Sequence, residues 1–240
     1  MRQEELYGMM NERERGLEMS RSMPILMRKV YTWMTLALAI TGFTAYGVAH
    51  SPALLQLLYG NPFVLFGLII AELALVWSIS GRIHKISLST ATLLFIIYSV
   101  INGATLASIF LIYTATSITK VFLITAGTFG AMAAIGYVTK KDLSKLGGIM
   151  FMALIGLIIA SVVNLFTHST LLMSIINYAG VLIFVGLTAW DTQRIKQMLL
   201  DQPDTGETAQ KIALVGALSL YLDFINLFIY LLRIFGSSRD

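Results

Sequence analysis

The sequence contains no cysteine and very few charged residues. Of its 240 residues only 12% are charged, against about 25% in typical soluble domains. Without cysteine the chain can form neither disulfides nor thiolate sites. Hydrophobic residues make up 57% of the chain, a composition typical of membrane proteins with several spans.

Several catalytic signatures are also missing. The sequence has no HExxH zinc motif, no GxSG serine motif, no P-loop, no dinucleotide fingerprint and no EF-hand loop. Two aspartates lie in apolar segments, but neither has the GxGD setting of the intramembrane aspartyl proteases. We therefore predict that the protein is not an enzyme. Its modest formal charge of +4 comes from basic residues clustered in loops, which favours membrane topology over nucleic-acid binding.

Seven apolar segments are each long enough to span a membrane. They cover residues 30–49, 62–80, 87–111, 118–138, 146–166, 171–190 and 212–235. The sequence thus predicts an all-α polytopic membrane protein with one transmembrane domain over residues 30–240. Residues 1–29 are polar and of mixed charge, so we expect a flexible or surface-lying tail there.

The distribution of lysine and arginine predicts the orientation in the membrane. The tail and the connections on its side of the membrane contain fourteen of these residues. The opposite side contains three: Lys120, Arg233 and Arg239. Because basic loops stay inside the cell, we predict a cytoplasmic N-terminus and a C-terminus on the outer side.

The last apolar segment, LSLYLDFINLFIYLLRIFG (218–236), contains a polar stripe. Ser219, Asp223, Asn226, Tyr230 and Arg233 recur at three- and four-residue intervals and therefore share one helix face. A carboxylate inside an apolar span is costly, so it faces protein or water and usually marks function. We expect this helix to be surrounded by the others and to turn its stripe toward a specific site.

Three further polar residues in or at the end of the predicted spans are candidates for a role: Glu72, Asn102 and Asp191. Glu72 lies midway along the second span, and we predict that it pairs with Arg233, the basic residue of the final stripe. Asn102 suits either interhelical hydrogen bonding or a pore lining. Asp191 ends the sixth span, where a functional site and a position in headgroup water are equally compatible with its neighbours.

Three sequence blocks resemble the Bax inhibitor family of membrane proteins, in particular its bacterial inner-membrane members. They are KKDLS (140–144), GLTAWDTQRIK (186–196) and LYLDFINLFIYLLRIFG (220–236). The resemblance implies seven helices, with the last wrapped by the other six as two three-helix layers. It also implies a pH-sensitive calcium leak controlled by two aspartates, here Asp191 and Asp223. An arginine after the second helix can latch the first of these in relatives, and the candidate here is Arg82.

Calcium would then be a permeant ion rather than a cofactor. Asp191 and Asp223, with Asn226 and water, would offer a weak and transient site. Spacing alone does not pair the two aspartates: if the last span begins at residue 212, Asp223 lies about 16 Å deep, whereas Asp191 lies near the inner surface. The alternative function is a non-conducting regulator that binds a membrane-embedded protease complex, with the N-terminal tail as its handle.

The predicted orientation is testable with fusions. A reporter placed after Asp240 should report the periplasm, and one inserted between Lys141 and Asp142 should report the cytoplasm, because basic connections are retained inside. Alkaline phosphatase and fluorescent-protein fusions measure this directly. A cytoplasmic C-terminus would contradict seven full spans and favour a last segment that re-enters the membrane.

Overall fold

Helices form nearly all of the chain. The computed structural model describes residues 3–202 and 205–239, with side chains from residue 22 onward, and in these ranges it has no strand, only a β-bridge between Tyr113 and Ser238. In chain order the helices are α1 (Gln3–Ala49), α2 (Pro52–Tyr59), α3 (Pro62–Arg82), α4 (Leu88–Thr105), α5 (Ser108–Ile112), α6 (Ala115–Val138), α7 (Ser144–Thr167), α8 (Thr170–Leu200) and α9 (Glu207–Phe235). A 3-10 turn (Ile83–Lys85) follows α3.

Seven helical stretches in the described residues are long and apolar enough to cross a membrane, which confirms the predicted number. They are α1 from Ser22 onward, α3 with its following turn, α4 with α5, and then α6, α7, α8 and α9. The third span is broken between Thr105 and Ser108, where α4 ends and α5 begins. The predicted class, an all-α polytopic membrane protein, is therefore the observed one.

Several spans extend beyond the sequence boundaries. The first extends before residue 30, since Met23 and Leu26 are buried in the core while the charged Arg28 is exposed. The chain is helical from Gln3, where a flexible or surface-lying tail was expected. The sixth span continues to Leu200 instead of residue 190, and the seventh begins at Glu207 instead of residue 212. Charged residues interrupt the apolar pattern at these ends without ending the helices.

A short polar residue directly precedes the first turn of most of the spans. A side-chain oxygen of the residue before the helix accepts a hydrogen bond from a backbone N–H of the first turn, which offsets one unpaired donor there. Residues that cap in this way are Ser51, Asn61, Ser87, Thr114 and Ser169. Proline follows the first two caps, at the first helical position, where its missing N–H costs nothing. These starts are set by local sequence.

Helix α9 lies at the centre of the bundle. Of its most apolar stretch 67% is buried, against 6% for α3 and 11% for α7. It packs against α1, α4, α6 and α8. Most contacts among the other spans join α1, α3 and α4 into one group and α6, α7 and α8 into another. The two predicted three-helix layers around a central last helix are thus present.

Large side chains of α9 fill the space between these layers. Tyr221 is fully buried and makes edge-to-face contacts with Phe95 and Tyr98 of α4. On the other side, Phe224 packs edge-to-face against Phe122 and Phe129 of α6. Between membrane helices such van der Waals packing replaces the hydrophobic effect as the source of association. Central α9 is therefore held by aromatic contacts to both layers.

The C-terminus is tied to the connection between the third and fourth spans. The backbone N–H of Arg239 donates to the carbonyl of Ile112 (2.8 Å), and that of Thr114 donates to the carbonyl of Ser237 (3.2 Å). The Ser237 N–H also donates to Ser117 Oγ (2.9 Å). Helix α9 thus crosses the whole bundle and ends beside the α5–α6 connection.

Close approach of α6, α7 and α8 depends on two glycines. A Cβ atom at Gly136 of α6 would overlap the backbone carbonyl oxygen of Ala189. A Cβ atom at Gly147 of α7 would overlap the ring of Trp190. Both neighbours lie directly before Asp191 on α8, so these glycines set the position of the segment that presents this aspartate. Small residues at helix contacts are typical of membrane bundles.

We predict that Gly136→Ala destabilises the protein, because the added methyl group meets backbone that cannot rotate away. Overpacking of this kind costs about 1–3 kcal/mol. Gly130→Ala on the same helix is the matched control, since a Cβ atom there meets nothing within 4 Å. Thermal unfolding of the purified variants in detergent compares them. Equal melting temperatures for both variants would show that the contact at Gly136 is not tight.

Candidate functional site

Helices α8 and α9 are antiparallel neighbours whose register brings the two predicted aspartates together. The side chain of Ile195 packs at Gly216, and the ring of Phe184 stacks on that of Tyr230 at 5.9 Å. Asp191 lies between these two contacts along α8. The sequence estimate separated the aspartates in depth because it ended the sixth span near Asp191. In fact α8 continues nine residues beyond it, and α9 packs along that extension.

The side-chain carboxyl groups of Asp191 and Asp223 lie within hydrogen-bonding distance of each other. Asp223 is buried, with 4% of its surface exposed, and Asp191 is half-buried. A contact between two carboxyl oxygens requires a shared proton, since two carboxylates 3 Å apart would repel. Oδ2 of Asp223 is buried, and no donor group among the described residues bonds to it.

A basic residue lies beside this acid pair. Arg194, one turn after Asp191 on α8, interacts electrostatically with its carboxyl group. The guanidinium of Arg194 also lies over the ring of Trp190, 5.2 Å from its centroid. The sequence analysis missed Arg194, although its three-residue spacing from Asp191 was a usable signal.

A cavity of about 830 Å³ opens beside the acid pair. Apolar side chains of α7 and α8 form most of its walls, and α9 contributes the polar stripe. The polar side chains at its surface are Asp191, Arg194, Ser219, Asp223, Asn226 and Tyr230. The predicted stripe residues Ser219, Asp223 and Asn226 therefore do share one site.

The cavity offers few ligands for a cation. No group of three or more acidic or histidine side chains that could hold a metal occurs in the part of the chain that the structure describes. Asn226 uses its amide nitrogen within α9, donating to the carbonyl of Leu222 at 2.8 Å. Calcium prefers six to eight oxygen ligands. Two carboxyl groups, one amide oxygen and water suit only weak and transient binding.

The predicted latch between Arg82 and Asp191 is not formed. Arg82 ends α3, is exposed, and places its guanidinium over the ring of Trp77, 5.7 Å from the centroid. The basic group beside Asp191 is Arg194 from the same helix. A helix neighbour needs no tertiary packing to reach the aspartate, whereas Arg82 belongs to the other layer of the bundle.

Glu72 and Asn102 belong to a second polar cluster, on the opposite side of α9. Thr105 Oγ1 donates to Glu72 Oε1 (2.8 Å), and the Tyr221 hydroxyl donates to Asn102 Oδ1 (2.9 Å). Thr41 of α1 shares a hydrogen bond of 2.7 Å with the same Tyr221 hydroxyl. Asn102 thus has the interhelical role that was one of its two predicted alternatives. Thr41 and Tyr221 were not predicted, because hydroxyl groups inside apolar runs carry no distinctive pattern.

The predicted pair of Glu72 and Arg233 is wrong. Glu72 lies at about the same depth in the bundle as Tyr221, because both side chains interact with Asn102. Arg233 is twelve residues further along α9, about 18 Å at 1.5 Å per residue. Its guanidinium lies over the ring of Tyr230, 5.7 Å from the centroid, and borders a separate cavity. That axial separation exceeds the reach of an arginine side chain.

Comparison with known proteins identifies the family of this chain. The family model described as "Inhibitor of apoptosis-promoting Bax1" matches residues 23–240. The chain therefore belongs to the Bax inhibitor family of membrane proteins.

Relatives in several bacteria match most of the chain. The Escherichia coli (strain K12) inner membrane protein YbhL is 53% identical over 215 residues, covering 89% of this chain and 92% of that protein. An uncharacterized protein of Borreliella burgdorferi is 45% identical over 212 residues, with 88% and 91% covered. Uncharacterized protein RP147 of Rickettsia prowazekii is 42% identical over 216 residues, with 89% and 90% covered. With its seven apolar spans, the chain is a multi-pass inner-membrane protein of this family.

A double-mutant cycle should distinguish the observed partner of Glu72, which is Thr105, from the predicted partner, Arg233. We expect Glu72→Ala and Thr105→Val to be non-additive in the free energy of unfolding, by about 0.6 kcal/mol, because they remove the same hydrogen bond. Glu72→Ala and Arg233→Gln should add within about 0.5 kcal/mol, since the two sites are distant. Unfolding in mixed detergent micelles measures both. Coupling between Glu72 and Arg233 larger than that to Thr105 would contradict the observed arrangement.

Proposed function

We propose that the protein is a pH-sensitive calcium leak channel gated by Asp191 and Asp223. The observation that carries the proposal is the contact of two carboxyl groups between the central helix and α8, beside a cavity. An acid pair in the middle of a membrane bundle is expensive, and such groups typically mark ion or proton pathways. Family membership supports the same function.

The shared proton gives the pair its sensitivity to pH. When the proton is lost, two like charges remain close together in a site of low dielectric, and their repulsion favours separation of α8 from α9. A divalent cation would relieve this repulsion, which ties the ionisation of the pair to its attraction for calcium. The two carboxyl groups titrate as a unit, so one protonation step belongs to both residues.

Weak binding fits a conducting role. A site that permits passage must attract the ion and then release it, so a complete coordination shell would hinder flux. The two carboxyl groups and the amide oxygen of Asn226 leave most of the ligands of calcium to water. Arg194, which also borders the cavity, offsets part of the negative charge at Asp191.

The orientation that we propose places the N-terminus in the cytoplasm and the C-terminus in the periplasm, on the lysine and arginine distribution. The cavity at the acid pair then lies toward the cytoplasmic half of the bundle. Arg194, at the border of this cavity, is one of the basic residues on which the cytoplasmic assignment of that side rests.

A second candidate function is a non-conducting regulator of a membrane-embedded protease. The observation that favours it is the length of α1, whose 47 residues begin well before the apolar segment that starts near residue 30. The charged residues 3–21 would then form a helical handle for a partner. The acid pair would serve stability in that case.

The channel proposal predicts the behaviour of two substitutions. Asp191→Asn and Asp223→Asn should each flatten the pH dependence of calcium flux into protein-loaded liposomes while the protein stays folded, because each removes the shared ionisable pair. The double variant should flatten the pH dependence little more than either single variant, because each single substitution already removes the shared pH sensor. A fluorescent calcium indicator inside the liposomes, read across about pH 5–8, measures this.

Asp142→Asn is the matched control. Hydrogen bonds from Ser144, including its backbone N–H to Asp142 Oδ1 at 2.8 Å, hold the pKa of this exposed carboxyl below its usual range. Asp142 therefore stays charged across the assay and should leave the profile unchanged. Single Asn variants with the wild-type pH profile would show that the pair is not the gate. Absence of flux in the wild type, with loss of cellular function on deletion of residues 2–21, would favour the regulator.

A further inference from the structure

A second cavity lies at the end of the bundle where α7 and α9 finish and α8 begins. It has a volume of about 710 Å³, within the range of small-molecule sites. Arg233 of α9 borders it, as do His168 and Ser169 of the connection between α7 and α8. Neither the acid pair nor the Glu72 cluster contributes to it. Its proposed ligand therefore does not depend on the calcium proposal.

The polar end of this cavity favours an anion. Arg233 is exposed and forms no ion pair in the described part of the chain, where the one salt bridge joins Lys211 to Glu207. A guanidinium presents a planar fork of donors that matches the oxygens of a phosphate. No acidic side chain appears among the described residues that line the cavity.

The start of α8 adds to this preference. Ser169 Oγ caps one first-turn N–H, that of Leu172 (3.2 Å), and the positive end of this 31-residue helix borders the cavity at Thr170. First-turn N–H groups without an intrahelical acceptor attract anions. His168 ends α7 in the left-handed conformation, with φ at 46°, so the chain turns sharply into α8 there. This turn brings the helix start and Arg233 to one cavity.

The remaining walls are apolar. Ile158, Val162 and Leu165 of α7 form one side, and Met173 and Ile176 of α8 form the other. The α7 wall alone is about 10 Å long at 1.5 Å per residue, close to the depth of one hydrocarbon leaflet of about 15 Å. Val162 and Leu165 are half-exposed or exposed, as expected of a surface that meets lipid. A free phosphate would leave these walls unused.

We propose that this cavity binds one anionic phospholipid. The phosphate is held by Arg233 and the start of α8, and an acyl chain lies along the α7 and α8 walls. Charge selects the headgroup, and the apolar walls select a lipid over a soluble phosphate. The bound lipid belongs to the leaflet on the C-terminal side of the membrane.

Native mass spectrometry of the full-length protein in detergent tests the proposal, with phosphatidylglycerol and phosphatidylcholine of equal chain length as probes. We expect one phosphatidylglycerol to bind the wild type preferentially. Arg233→Gln should weaken its binding about tenfold, through loss of a charge-assisted hydrogen bond, and Arg233→Lys should recover part of it. Lys120→Gln is the matched control, since it removes an exposed positive charge outside the cavity.

A second pair of variants tests the apolar walls and does not alter charge. Val162→Trp should fill the cavity and weaken phosphatidylglycerol binding, whereas Val163→Trp, outside the cavity, should not. Inorganic phosphate at millimolar concentration should not displace the lipid. Equal binding of phosphatidylcholine, unchanged binding in both Arg233→Gln and Val162→Trp, or full displacement by inorganic phosphate would each overturn the proposal. If Arg233→Gln does not fold, the comparison of Val162→Trp with Val163→Trp tests the proposal by itself.

Discussion

The contact between Asp191 and Asp223 is the interaction on which the arrangement of the bundle depends. A carboxyl group cannot face lipid at low cost, so α9 must lie where its polar stripe meets protein or a cavity. Central burial of α9 satisfies this requirement, with 67% of its apolar stretch enclosed. The partner carboxyl comes from α8, and the contact exists because α8 remains helical well past Asp191.

Helix α9 is also held from the opposite side. There the Tyr221 hydroxyl bonds to Asn102 and Thr41, which joins α9 to α1 and α4. Each three-helix layer thus has its own polar connection to the central helix. Buried polar groups inside a membrane bundle must find partners within the protein, and these connections fix both the rotation and the height of α9. A movement of α8 away from Asp223 would leave the connection to the other layer intact.

Close packing of α6 and α7 against α8 sets the position of Asp191 in the acid pair. Gly136 and Gly147 let α6 and α7 approach α8 immediately before Asp191, where a methyl group would collide with Ala189 or Trp190. The proposed lipid site lies at the other end of α7, α8 and α9, the three helices that line the cavity beside the acid pair. Its charge comes from Arg233 and the α8 start, so the two proposed sites would take ligands of opposite sign. Both depend on the same α8–α9 register.

The sequence by itself determined the class of the protein, the number of spans and the polar stripe of α9, because apolar runs, capping residues and helical spacing are local properties. It also identified both aspartates, although the resemblance to a family was needed to pair them. Only the tertiary structure decided that Asp191 meets Asp223, that Arg194 replaces Arg82 beside it, and that Glu72 bonds to Thr105 instead of Arg233. Those outcomes depend on where helices end beyond charged residues and on the register between neighbours. Register is set by side chains far apart in the chain, which no local pattern records.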